Sequence, residues 1–561
     1  MNGADREIER LVASLPAIVE AGVTLSDGWL VVDGEPTLRI PRKQSQTRDE
    51  WLRHDAPSVY PNVPRGQPRA TLLFGILQDS GTADGECPFD SHLEAELREK
   101  LPGDTMEKRT AVSDAIVEKF WYRSEKVHYL LPLHSSLSLG FRQSSSGGGR
   151  MQYKMFRGSI LPFLCSHTGG IDEVLIDRML DVFRSDDDFT HLDREVLRIA
   201  GEISPETNGP SVKILLRSEG TREVLERLES AGGAFCQASL DRFREDLAEV
   251  LTMQLPRRDL IDQITMLLAL HLTTWLYRAS MVLSNQLERV VRLFTLAPSA
   301  DAPGCSVGCA GDLTTCDLAG RMSFRVGSGG FRSAKMSDPC VGSYLELTSG
   351  YLMPLPVTIA AANLAAEALL AAGGPEIRSL DLPAMHRALS EGGAQLRSRF
   401  DAITRVLAIC RGAQQYPAAP LEEKERFART GAPGLYALRE ALLEARRSSM
   451  RNVGRDVVNQ LVKEVPTGKL IQSNGTRITF FETDEAMLFL LVRLVCGREL
   501  VPFAEFLEGL KRYGLAPQSR EEERLLQNAL ERLGMFARYS DAAESAYVHH
   551  SSQFSASEVT R

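Results

Sequence analysis

The sequence predicts a mainly α protein, α+β overall, organised in several domains. Three observations predict it. Helical apolar periodicity runs through residues 150–298 and 346–450, strand-like pieces gather in residues 1–143 and 451–549, and 561 residues exceed what one hydrophobic core normally organises. Hydrophobic residues make up 43% and charged residues 25%, the balance of an ordinary globular chain. A formal net charge of −9 excludes a generally basic nucleic-acid coat, so any such contact must come from a local basic patch.

Residues 1–143 read as a mixed α/β region. The opening "MNGADREIERLVASLP" has early acids and no apolar core segment, so no secretory signal is expected and a cytoplasmic location is. "GWLVVDGEPTLRI" predicts a hairpin around Asp33-Gly34. "RATLLFGIL" and "KVHYLLPLH" read as buried strands and "CPFDSHLEAELREKL" as a capped helix. "SSSGGG", residues 144–149, resists regular structure and marks a loop or boundary, and with no Lys-Ser/Thr after the glycines it does not fit a phosphate-binding loop.

The helical region 150–298 closes with "DLIDQITMLLALHLTTWLYRASMVL", residues 259–283. Asp262, Gln263, His271 and Arg278 interrupt its apolar run, which favours a buried core helix over a membrane span. Residues 299–345 break the helical pattern with Gly, Ser, Asp, Pro and four cysteines, and read as an insertion. Periodicity returns in "PVTIAAANLAAEALLAAGG", where Gly373 and Gly374 stop an Ala-rich helix over 356–372.

Residues 451–549 have the sharpest organisation. "GKLIQSNGTRITFF" is two strand-like runs around Asn474-Gly475. Three helices follow, "DEAMLFLLVRLVC", "PFAEFLEGLKRYGL" and "SREEERLLQNALERLGM", the last headed by a capping box of Ser519 and Glu522. "FARYSDAAESAYVHH" adds two short strands around a polar turn. Three helices and a terminal hairpin make a winged-helix domain, whose third helix is the usual groove-facing element. Residues 550–561 are polar and read as a disordered tail.

Two motifs carry chemistry. Cys305, Cys309, Cys316 and Cys340, spaced Cys-x3-Cys-x6-Cys-x23-Cys, could close a tetrahedral zinc site. An iron–sulfur cluster would need the same thiolates, and four unconnected loop residues are the plain alternative. From Arg446 to Arg477 there are seven Lys/Arg against two acids, the clustering that phosphate contacts require and that a solvated helix face also has. Arg446, Arg447, Arg451, Arg455, Lys469 and Arg477 are the candidate DNA contacts there, joined by Arg520, Arg524 and Arg538 in the module that follows. Because Glu521, Glu522, Glu523 and Glu531 offset the arginines of the third helix, a protein-binding role or weak, non-specific DNA contact is expected of it. Metalloprotease, hydrolase, Walker and kinase signatures are missing from the sequence. The run Asp186-Asp187-Asp188 reads as a solvated loop, and Cys165 with His167 as chance neighbours.

The stretches "GKLIQSNGTRITFFETDEAMLFLLVRLVCG" and "PFAEFLEGLKRYGLAPQSREEERLLQNALERLGMFARYSDAAESAYV" resemble the end of the DNA phosphorothioation-dependent restriction protein family DptG. The likeness rests on a glycine-containing hairpin, an apolar helix, a helix ending in "KRYG" and the wing "RYSDAAESAYV". It covers about residues 450–548 and departs from the family at Glu544-Ser545-Ala546. The resemblance implies a subunit of a bacterial anti-phage restriction complex working beside a HerA/FtsK-like ATPase and a second NTPase-type partner. A non-enzymatic scaffold subunit is therefore expected, with a metal-dependent nuclease and a winged-helix transcriptional regulator as the competing classes.

Overall fold

The computed structural model describes residues 3–43, 49–52, short pieces between 99 and 130, 160–167, 170–184, 189, 236–295, 311–327, 335–377, 380–415, 426–429, 431–445, 468–473, 478–538 and 546–550. These residues are mainly helical, with small two- and three-stranded sheets. The strand-like run 69–77, the capped helix near residue 90 (apart from Glu99), the loop 144–149, Asp186–Asp188 and the polar tail from 551 lie outside them.

Helices α1 (Gly3–Ala13) and α2 (Pro16–Glu20) lead into the meander of β1 (Val23–Ser26), β2 (Trp29–Val32) and β3 (Glu35–Arg39). Asp33 and Gly34 both take positive φ, 51° and 90°, as the two-residue turn that matches strand twist requires. β4 (Trp121–Arg123) pairs antiparallel with β5 (His128–Leu130), within the strand read in "KVHYLLPLH". A ladder of polar contacts joins the N-terminal region to a helix far along the chain. Trp51 donates its indole N–H to Gln414 (2.9 Å), Gln414 donates to the Pro41 carbonyl (3.0 Å), and Arg411 grips both oxygens of Asp49 (3.2 and 2.8 Å).

The middle of the chain supplies α3 (Ile160–Leu164), the hairpin of β6 (Ser166–His167) and β7 (Gly170–Ile171), α4 (Glu173–Arg184), α5 (Gln237–Val250) and α6 (Arg257–Arg292). Helix α6 has 36 residues and so spans about 54 Å. From Ile264 to Leu283 it is buried all round, as a stretch apolar on nearly every side must be. Its hydroxyls are buried without penalty because Thr265, Thr273, Thr274 and Ser280 each bond the carbonyl one turn back, at 2.8, 2.7, 3.0 and 2.6 Å.

β8 (Arg325–Val326) precedes α7 (Pro339–Leu347), a π-helical turn (Thr348–Leu352), α8 (Leu355–Ala371), α9 (Leu382–Glu391), α10 (Gly393–Gln415) and the short α11 (Arg426–Arg429). Helix begins at Pro339, inside the stretch that the sequence reads as irregular. The start signal was there: Asp338 caps α7 by accepting from Cys340 N at 3.2 Å, and Pro339 takes the first helical position. The Ala-rich helix ends at Ala371, followed by Gly373 at φ 88°. Arg257–Arg292 and Pro339–Ala371 are long and apolar enough to cross a membrane, yet 100% and 78% of their apolar windows are buried inside the fold. Both are core helices.

β9 (Ile471–Ser473), β10 (Thr479–Thr483), α12 (Glu485–Cys496), β11 (Val501–Pro502), α13 (Phe503–Lys511), α14 (Arg520–Arg532), β12 (Phe536–Arg538) and β13 (Ala546–Val548) complete the chain. β9 and β10 pair antiparallel as read, with the Asn474-Gly475 turn outside the described residues. β8 adds to the same sheet in parallel, Arg325 opposite Glu482 and Val326 opposite Thr483. One continuous hydrophobic cluster runs from Leu11 through α5, α6 and α8 to Val548. Phe481 on β10 stands edge-on to Tyr277 of α6 and Tyr344 of α7, with ring centroids 6.2 and 5.3 Å apart.

Candidate functional site

The C-terminal module is assembled by local signals. Asp484 caps α12 through Met487 N (2.9 Å), and Ser519 caps α14 through Glu522 N (3.2 Å). Glu522 turns its carboxylate back to Gln518 N rather than to the cap residue, and it also accepts from Ser323 Oγ (3.3 and 3.2 Å). The apolar residues of α14 fall on one side: Leu526, Ala529 and Leu530 are buried, as is Glu522. Arg520, Glu521, Arg524, Asn528, Glu531 and Arg532 form the opposite, exposed arc. Along that arc Arg532 reaches Glu485 (3.4 Å) and Glu531 takes Arg538 from β12 (2.9 Å). Arg520 and Arg524 have no ion pair among the described residues. The arc is thus mixed in charge, with two uncommitted guanidiniums near its start.

Two sets of contacts seat the module on the body. The turn between α13 and α14 is stitched to residues 318–323: Met322 N donates to the Gly514 carbonyl (2.8 Å), Ala516 N to the Met322 carbonyl (3.2 Å) and Gln518 Nε2 to the Gly320 carbonyl (2.8 Å). Beneath it lies a buried polar cluster. Asp246 Oδ2 receives His271 Nε2 at 2.8 Å and the Tyr513 hydroxyl at 2.9 Å, and Arg242 of α5 pairs with Oδ1. Arg242 also donates to the Tyr513 oxygen (3.2 Å) and to the Leu494 carbonyl (3.1 Å), while Arg278 of α6 reaches Ser239 Oγ (3.1 Å) and the Arg512 carbonyl. Nearby, Arg493 of α12 pairs with Glu249. Burial pushes the Tyr513 hydroxyl well above its ordinary pKa, so it stays a donor.

No family model matches this chain, and no curated protein matches it.

Of the four clustered cysteines, Cys316 and Cys340 are described; Cys305 and Cys309 lie outside. Cys340 is buried at the head of α7, with its thiol 3.8 Å from Glu522 Oε1 and 3.9 Å from Ser323 Oγ. Burial, with the Glu522 carboxylate adding to it, pushes that thiol up to about 11, which keeps it protonated in this setting. Cys316 instead interacts with Cys236, the residue preceding α5. Among the described residues no group of three or more His, Cys, Asp or Glu is placed to hold a metal ion. Cys165 is fully buried, and that burial raises its pKa far above the ordinary value, which leaves no nucleophile there.

Of the candidate DNA contacts, Arg520, Arg524 and Arg538 stand exposed on one module. Lys469 is half-buried and faces Asp484 in the hairpin region. Arg446, Arg447, Arg451, Arg455 and Arg477 lie outside the described residues. Asp246, Tyr513 and Arg242 were not singled out by the sequence, although a signal existed: His271 and Arg278 inside an apolar helix must find polar partners.

Proposed function

We propose that this chain is a non-catalytic cytoplasmic subunit of a bacterial anti-phage restriction complex, of the kind the DptG resemblance implies. In this reading residues 485–548 form a winged helix that touches DNA weakly, and the helical body is the scaffold for a HerA/FtsK-like ATPase. The observation that carries it is the element order of the module. Helix, strand, helix, helix and two strands occur in that order, with the sheet ordered β11–β13–β12 and α14 turned outward. Arg520 and Arg524 on that outward arc, and the basic run from Arg446 to Arg477 just before the module, supply cations for phosphate contact. The paired and acidic residues between them keep the contact weak and indifferent to sequence.

Titration of the full chain with a 30-base-pair duplex at several salt concentrations tests this. Binding is expected to be weak and steeply salt-dependent, and Arg447→Glu with Arg451→Glu and Arg455→Glu should lower the log–log salt slope by about three. Salt-independent binding, or a slope untouched by the triple change, overturns the DNA part of the proposal. Metal-dependent cleavage of the duplex by the purified chain, lost on replacing one Asp or Glu, would replace the scaffold by a nuclease. Zinc, or less favourably an iron–sulfur cluster, at Cys305, Cys309, Cys316 and Cys340 belongs to the same proposal. Elemental analysis should give about one zinc per chain, and metal content unchanged by Cys305→Ser with Cys309→Ser removes it.

A further inference from the structure

We propose that the buried cluster of Asp246, His271, Arg242 and Tyr513 is an acid-labile latch that holds the C-terminal module on the α5–α6 pair. The cluster joins three separate stretches of chain. Asp246 and Arg242 come from α5, His271 from α6, and Tyr513 from the turn after α13. Asp246, His271 and Tyr513 are almost wholly shielded from water, at 0%, 3% and 1% exposure. One carboxylate therefore serves as the acceptor that ties the module to both helices.

The contact requires a proton on Nε2 of His271, since a lone pair there would face the Asp246 oxygen 2.8 Å away. The charged and titratable groups facing the imidazole are Asp246 and Arg242 from α5, Arg278 from its own helix and Tyr513 from the module; the Phe243 ring closes another side at 5.3 Å. Two guanidiniums face the ring against one buried carboxylate, while the second carboxylate on Arg242, Glu245 at 3.1 Å, stands in water. An imidazolium would add a third cation where little water screens it. Burial first, with Arg242 and Arg278 adding, holds His271 below its ordinary pKa against the opposing pull of Asp246.

Once the module lifts away, His271 regains water and a pKa near 6.5. Below that pH the undocked state binds one proton more than the docked state. Docking is fully present above about pH 6.5 and weakens as the pH falls. The latch does not depend on what the module binds.

Hydrogen exchange on the intact chain, corrected for the intrinsic pH dependence of amide exchange, reads the docking at residues 485–513 against α10 as an internal reference. From pH 7.5 to 5.5 exchange at 485–513 should rise about tenfold, the factor for one proton taken up at a pKa near 6.5. His271→Gln keeps a neutral donor to Asp246 and should lose the rise. His550 on the same module is also held low, to about 4, by burial and by Arg493 and His549. His550→Gln is measured in parallel, and a wild-type rise there assigns the proton to His271. A wild-type rise in His271→Gln, or no rise in the wild type, overturns the latch. If His271→Gln fails to fold, NMR titration of the His271 ring in the wild type decides: titration near pH 6.5 in the docked protein overturns the proposal, and a ring still neutral at pH 5.5 supports it.

Discussion

In the core of the fold Arg257, Arg411 and Arg493 point inward, whereas on α14 the arginines point out. Arg257 donates to the Val182 and Phe183 carbonyls (2.8 and 3.2 Å), and Arg411 takes both Asp49 oxygens with its guanidinium over the Trp51 ring at 5.6 Å. Arg493 divides its donors between Glu249 and the Gly497 carbonyl. Arg520 and Arg524 have no such partners among the described residues, and Arg532 and Arg538 reach one carboxylate each at the surface. The same side chain serves two ends. A guanidinium can be buried only where carbonyls, hydroxyls or a carboxylate absorb its donors, and it then fixes architecture; left in water, it keeps those donors for another molecule.

The contrast is sharpened by removing charges from each region in turn. Asp246→Ala should have the largest effect. It leaves Arg242 without its buried counter-ion and removes the acceptor of His271 and Tyr513, and urea unfolding should show a loss of about 3–5 kcal/mol. A loss under about 1 kcal/mol would break the comparison, because the interior cations would then be compensated elsewhere. Tyr513→Phe deletes one donor to Asp246 and the acceptor for Arg242, and should cost about 1–3 kcal/mol. Ser519→Ala removes the α14 cap, for about 1 kcal/mol in the same assay. At the surface, Arg538→Ala should cost under about 1 kcal/mol. Arg520→Glu with Arg524→Glu should leave the unfolding midpoint in place while lowering the salt slope of duplex binding by about two. A midpoint that falls in that last variant would show these arginines to be structural after all.

Much of the fold was legible in the sequence because its signals are local. The apolar run through Met266–Leu270 gave α6, Asp33-Gly34 gave its turn, and Ser519 with Glu522 gave the head of α14. The start of α7 was legible too, in Asp338-Pro339, but the surrounding cysteines and glycines obscured it. The buried cluster was half-legible. A histidine and an arginine inside an apolar helix announce that partners exist, yet Asp246 stands 25 residues from His271 and 267 from Tyr513. No period in the sequence encodes contacts at such separations; they follow from how the helices pack. The exposed arc of α14 was legible as a mixture of Arg and Glu, and the fold adds which of those charges are paired.

The parallel pairing of β8 with β10 bears on how the chain is made. Thr483 Oγ1 reaches the Arg325 carbonyl across 158 residues of sequence. At roughly 5–20 residues per second, a ribosome needs about 8–30 s to deliver that partner after Arg325 has been synthesised. For that interval β8 has an open edge and α6 lacks the aromatic cover of Phe481. The nascent chain thus keeps this apolar surface uncovered until β10 arrives, and interruption of translation before that point should leave a product prone to aggregate.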